Sequence, residues 1–136
     1  MNRICVFCGS SDGARTVYLE CAREMGRALA ARGIGLVYGG GRVGLMGALA
    51  DEVLAGGGQV TGVIPIGLQV REVAHDRLTE LRIVDSMHER KALMAELSDA
   101  FISLPGGLGT IEGPAEMATL AQLGIHRKPA GLLNCA

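Results

Sequence analysis

Ala100-Phe101-Ile102-Ser103-Leu104-Pro105-Gly106-Gly107-Leu108-Gly109-Thr110 is the stretch that decides the fold of this chain. Its first five residues form an apolar run of strand length, and the segment after Thr110 reads as a helix. Between them, three glycines permit positive φ and let a ligand approach the backbone closely. A helix starting here aims its free N–H groups and the positive end of its dipole into the same space. That is a seat for an anion, most often a phosphate. A tight strand-to-helix turn without a ligand is the other reading of the same residues.

Two further stretches repeat the pattern. Val6-Phe7-Cys8-Gly9-Ser10-Ser11 runs a strand into a Gly/Ser turn, and Leu36-Val37-Tyr38-Gly39-Gly40-Gly41-Arg42-Val43-Gly44 runs one into a triple-glycine turn. Three such turns at strand ends favour a phosphate-bearing ligand, because parallel sheets bind ligands outside the carboxyl ends of their strands. None is a complete dinucleotide or P-loop fingerprint. Gly39, Gly41 and Gly44 match GxGxxG, but no acidic residue ends a following strand at the right distance, and Gly109-Thr110 lacks the P-loop Lys-Ser/Thr pair. An NAD-dependent oxidoreductase is disfavoured on the same grounds.

Outward from these turns, strands alternate with helices. Strands are expected at 4–8, 34–38, 59–64, 81–84, 99–104 and 130–133, and helices at 14–32, 43–54, 86–97 and 110–123. Tyr18, Ala22, Met25 and Leu29 share one face of the first helix, Gly33 stops it, and Ser86 caps the third. Residues 66–79 read as a short helix or a loop. Strands that are apolar throughout imply a parallel sheet covered on both faces. The expectation is a single α/β domain over 1–136, Rossmann-like and doubly wound, C-terminally shortened because the chain stops within three residues of a buried-looking strand.

Bulk properties exclude several function classes. Glycine is 21 of 136 residues, yet 49% of the chain is hydrophobic, so the glycines punctuate a fold rather than mark disorder. A net charge of −1 and an aromatic content of 3% leave no footprint for nucleic acid. No apolar run reaches membrane-spanning length and no signal peptide is visible, so no membrane partner and a cytoplasmic location are expected. Cys5, Cys8, Cys21 and Cys135 read as small hydrophobes kept reduced. His75, His88 and His126 are scattered without ligand spacing, so no metal and no cofactor are expected.

Some polar residues need a reason. Arg90 and Lys91 sit in the first turn of a helix, where cations oppose the dipole. They are either a solvated basic turn or a functional pair, with the Arg90 fork on phosphate or ribose oxygens. Glu72 is either a surface charge or a ribose or base contact, and Glu112 and Glu116 suit a helix start for structural reasons alone.

Taken together, 5–11, 37–47, Ser86-Met87-His88-Glu89-Arg90-Lys91, 104–110, 121–126 and 131–134 resemble the Lonely Guy family of cytokinin riboside 5′-monophosphate phosphoribohydrolases. The family also carries an older label, lysine decarboxylase, for which the residues offer no chemistry. The resemblance implies hydrolysis of the N-glycosidic bond of an AMP-type nucleotide, N6-modified or plain, to free base and ribose 5-phosphate. It implies a homodimer with the small nucleotide as its partner. It assigns Arg90 and a motif glutamate as the catalytic pair, with Glu112 the glutamate present here. Gly9, Ser10, Gly40, Gly41 and Met46 fall to substrate binding, as do Glu72 and Lys91. So do Pro105, Gly106, Gly107, Leu108, Gly109, Thr110, Gly113 and Thr119.

Two departures stand out. The family motif reads Pro-Gly-Gly-x-Gly-Thr-x-x-Glu, and its last position here is Gly113, followed by Pro114. This removes the motif carboxylate and the last member of a Thr-x-x-Glu capping box. Family members also continue well beyond Asn134. The alternative is a non-catalytic nucleotide or molybdenum-cofactor carrier on the same fold, motivated by Gly113.

Overall fold

A computed structural model describes residues 1–8, 16–67, 74–104 and 128–132. The elements in chain order are β1 (Arg3–Phe7), α1 (Thr16–Ala31), β2 (Gly35–Tyr38), α2 (Gly44–Ala55), β3 (Val60–Pro65), β4 (Glu80–Val84), α3 (Met87–Leu97), β5 (Ala100–Ser103) and β6 (Ala130–Leu132). The strands form one sheet in the order β4-β3-β2-β1-β5-β6. Every pairing is parallel. The expected strands and the first three helices are present with boundaries shifted by a residue or two. The helix expected at 110–123 lies outside the described residues.

Strand alternation builds the core in two layers. Ile4, Val6, Cys8, Leu36, Tyr38 and Ala100 face one side and pack with Ala22 and Leu29 of α1 and Leu45, Leu49 and Val53 of α2. Cys5, Val37, Val63 and Phe101 face the other and pack with Met94 of α3. Helices therefore cover both faces of the central strands, as a doubly wound sheet requires. Gly26 of α1 sets the approach to α2: a Cβ there would lie 2.8 Å from the Leu49 carbonyl oxygen.

The edge strand departs from the sequence reading. Leu81 is 36% and Ile83 51% exposed, so β4 is not covered on both faces. Glu80-Leu81-Arg82-Ile83 alternates polar and apolar residues, a half-solvated pattern rather than a buried run. The described part of the β3–β4 connection contains no helix. Its residue Ala74 bridges Gly41 in antiparallel register.

The cysteines divide. Cys5 and Cys8 are buried free thiols. Cys21 is disulfide-bonded, against the expectation that all four stay reduced.

Asp99 ties the start of β5 to the start of β1. Its Oδ2 accepts from the backbone N–H groups of Asn2 at 2.7 Å and Arg3 at 3.0 Å. These two bonds hold the carboxyl below its ordinary value of 3.8. A pKa depressed by folding stabilises above the ordinary value and loses that contribution as pH falls through the folded value. Asp99→Asn is therefore expected to melt below the parent near neutral pH, with the difference closing on acidification. Thermal unfolding of both proteins across the acid range measures it, and a gap independent of pH refutes the ionic contribution.

Candidate functional site

In the strand order, the chain winds outward from β1 to β4 and then returns to place β5 on the other side of β1. The switch point lies between β1 and β5, where an open parallel sheet forms its ligand crevice. Their carboxyl ends are bonded neighbours, since the Leu104 N–H donates to the Phe7 carbonyl at 2.8 Å. β1 and β5 thus end at adjacent points on one edge of the sheet.

The triple-glycine turn leaves the same edge at the end of β2, and its three carbonyls are all held. The Gly39 oxygen accepts from Arg90 Nη2 at 2.6 Å. The Gly40 oxygen accepts from the His75 N–H at 2.8 Å. The Gly41 oxygen accepts from the Tyr38 hydroxyl at 2.7 Å. Burial pushes the Tyr38 phenol up, so it serves as a neutral donor. A Cβ at Gly39 would lie 2.5 Å from Arg90 Nη2 and 2.9 Å from Met46 Cε, so a side chain there would displace the guanidinium from its carbonyl. Gly40 has φ 84°, which glycine adopts at no steric cost.

Arg90 reaches this turn from the first turn of α3. Ser86 caps that helix, its Oγ accepting from the Glu89 N–H at 3.1 Å. The Glu89 carboxylate reaches back to the Asp85 N–H at 2.9 Å, a capping box displaced by one residue. Arg90 Nε donates to the Val63 carbonyl of β3 at 2.9 Å while Nη2 holds Gly39. One planar fork therefore joins the ends of β2 and β3. Its cost against the helix dipole is about 0.3–1 kcal/mol. Each hydrogen bond from a charged group contributes about 1.5–3 kcal/mol, so the clamp wins.

Arg90 is 6% and Lys91 7% exposed, so the basic turn is not solvated. Met46, at the start of α2, is half-buried beside Gly39. Of the residues assigned from sequence, the structure brings Gly40, Gly41, Met46 and Arg90 together and buries Lys91 on the same helix as Arg90. Gly9, Ser10, Glu72, Pro105 to Thr110, Glu112, Gly113 and Thr119 lie outside the described residues.

Sequence reading assigned no site role to Tyr38 or His75, and placed Gly39 in the turn without its arginine partner. His75 is 3% exposed with Nε2 2.7 Å from Asp51 Oδ1. Its Nδ1 accepts from the Arg77 N–H at 3.0 Å, which leaves the ring proton on Nε2 as the donor to Asp51. No local spacing signals a pair 24 residues apart. Cys8 sits at the mouth of the first turn, but burial pushes its thiol up to about 12, which removes it as a nucleophile at neutral pH.

Comparison with known proteins follows this geometry. Residues 46–136 match the family model described as possible lysine decarboxylase. A probable cytokinin riboside 5′-monophosphate phosphoribohydrolase from rice (Oryza sativa subsp. japonica) is 58% identical over 132 residues, 97% of this chain and 58% of its own length. A cytokinin riboside 5′-monophosphate phosphoribohydrolase from Arabidopsis thaliana is 56% identical over 97% of this chain and 61% of its own length. The chain therefore spans less than two thirds of these curated relatives. Among solved structures, the molybdenum cofactor binding protein from the phototrophic bacterium Rippkaea orientalis superposes with a TM-score of 0.78 at 26% identity, covering 98% of this chain and 76% of that one. On this match and these identities, the chain belongs to the family described as possible lysine decarboxylase, the Lonely Guy family.

Proposed function

We propose that this chain carries the nucleotide site of a phosphoribohydrolase that cleaves adenosine 5′-monophosphates, N6-modified ones included, to free base and ribose 5-phosphate. What carries the reading is the 58% identity to a relative so named across 97% of this chain, clamped glycine turn included. The roles follow from chemistry. The glycine turns and helix N-termini at the carboxyl edge take the 5′-phosphate. The C1′–N9 bond breaks through an oxocarbenium-like ribosyl centre, water adds its oxygen to C1′, and the base leaves carrying a proton on nitrogen. A carboxylate beside the sugar stabilises the cation and orients that water, which is the role proposed for Glu112. Arg90 fixes the strand ends around it. The working form is read as a homodimer.

A second reading, favoured by Gly113 where the motif has its carboxylate, is a carrier that holds a nucleotide or a related cofactor without cleaving it. The solved neighbour named for molybdenum-cofactor binding is less similar, at 26% against 58% identity.

Incubation with AMP, N6-isopentenyl AMP and adenosine, followed by chromatography of free base, separates the readings. Base is expected from both monophosphates and at least about 100-fold more slowly from adenosine, which lacks the anchoring anion. Equal turnover of adenosine refutes phosphate anchoring. AMP bound but recovered intact supports the carrier.

A further inference from the structure

We propose that His75 and Asp51 form a latch that positions the triple-glycine turn for its ligand, setting affinity for the nucleotide without touching it. The proposal rests on the nucleotide reading above. Two of the turn's carbonyls are held from the core, by Arg90 and Tyr38. Among the described residues the middle one, on Gly40, is held through the backbone of the strap Ala74–Arg77 in the β3–β4 connection. Gly40 has no side chain to hold it, and glycine populates both signs of φ. Its conformation at φ 84° therefore depends on what keeps the strap in place.

The His75 ring supplies that restraint. It is buried, and both nitrogens are engaged: Nδ1 by the Arg77 N–H at 3.0 Å and Nε2 by Asp51 Oδ1 at 2.7 Å. The Asp51 side chain is 51% exposed, so it keeps much of its hydration while making a short bond to the ring. Asp51 belongs to α2, the helix that begins directly after the turn. The contacts thus close a ring: turn, α2, Asp51, His75 and back to Gly40. Opening the ring at Asp51 leaves the catalytic groups untouched but loosens the ligand's seat. The cost then falls on binding, because the turn must be ordered at the moment the ligand arrives.

Asp51 is the place to test it, since its half-exposed side chain tolerates truncation. Asp51→Ala is expected to raise KM for AMP about tenfold with kcat within about twofold, the loss of one hydrogen bond. Amide exchange at residues 39–42 should quicken in step. Asp51→Asn keeps an Oδ1 acceptor for the Nε2–H and should recover most of both. Unchanged exchange and KM in Asp51→Ala overturn the latch. So does a fall in thermal midpoint and kcat together that Asp51→Asn fails to rescue. If the parent protein neither binds nor cleaves AMP, the nucleotide reading fails, while the exchange measurement still decides the latch.

Discussion

Arg90→Ala is expected to release no measurable base from AMP and to melt well below the parent. Truncation strands the Gly39 and Val63 carbonyls in the interior without their donor. Each buried unsatisfied group costs about 1–3 kcal/mol, so the loss is about 2–6 kcal/mol. For a domain of this size that is a fall on the order of 10–20 °C. Activity is expected to fall further than stability alone requires, because the guanidinium joins the β2 and β3 ends beside the proposed nucleotide site. Arg90→Lys separates charge from geometry. An ammonium keeps the charge but cannot present a planar fork to two carbonyls at once. It should recover part of the stability and little of the activity. If lysine restores both fully, the fork is dispensable and the clamp argument is wrong. Differential scanning calorimetry beside a base-release assay reads both quantities.

Gly113→Glu carries the largest expected gain. It restores the carboxylate that the family motif places three residues after Thr110. One positioned acid–base group contributes about 100- to 10,000-fold, and base release from AMP and N6-isopentenyl AMP should rise by a factor in that range. Glu112 is adjacent in sequence, but neighbouring residues of a regular helix point about 100° apart, so on a helical backbone it would not take the direction of the motif carboxylate, and it fills the role proposed above only on a different local backbone. The same substitution also completes the capping box that Thr110 would begin. A parent already as fast as Gly113→Glu shows that Glu112 suffices. A Gly113→Glu protein that binds AMP and leaves it intact favours the carrier.

Much of the architecture is legible because it is local. Gly33 ends α1 at φ 66°, Ser86 caps α3, and the apolar runs of β1, β2 and β5 are buried strands. The chemistry of the site is less legible because its partners are remote. Arg90 is visible in sequence as a misplaced cation, but the carbonyls that explain it lie 27 and 51 residues upstream. His75 reads as scattered because its partner sits on α2, 24 residues upstream. The edge position of β4 was readable in its alternation, which an apolar count over Leu81 to Val84 overlooks. The disulfide at Cys21 had no spacing to announce it.

The placement of β5 beside β1 also governs synthesis. Ile4 pairs with Ala100, so one side of the sheet's central strand has no partner until nearly the whole described chain has been made. At about 5–20 residues per second, a nascent chain carries that open edge for several seconds after β2 has emerged. An unpaired apolar edge is a template for pairing with other chains. Ribosome-bound intermediates of this protein should therefore be a point of chaperone demand. Stalling translation before Ala100 should leave β1 open to intermolecular pairing, and stalling beyond β5, once Ser103 has cleared the exit tunnel, should not.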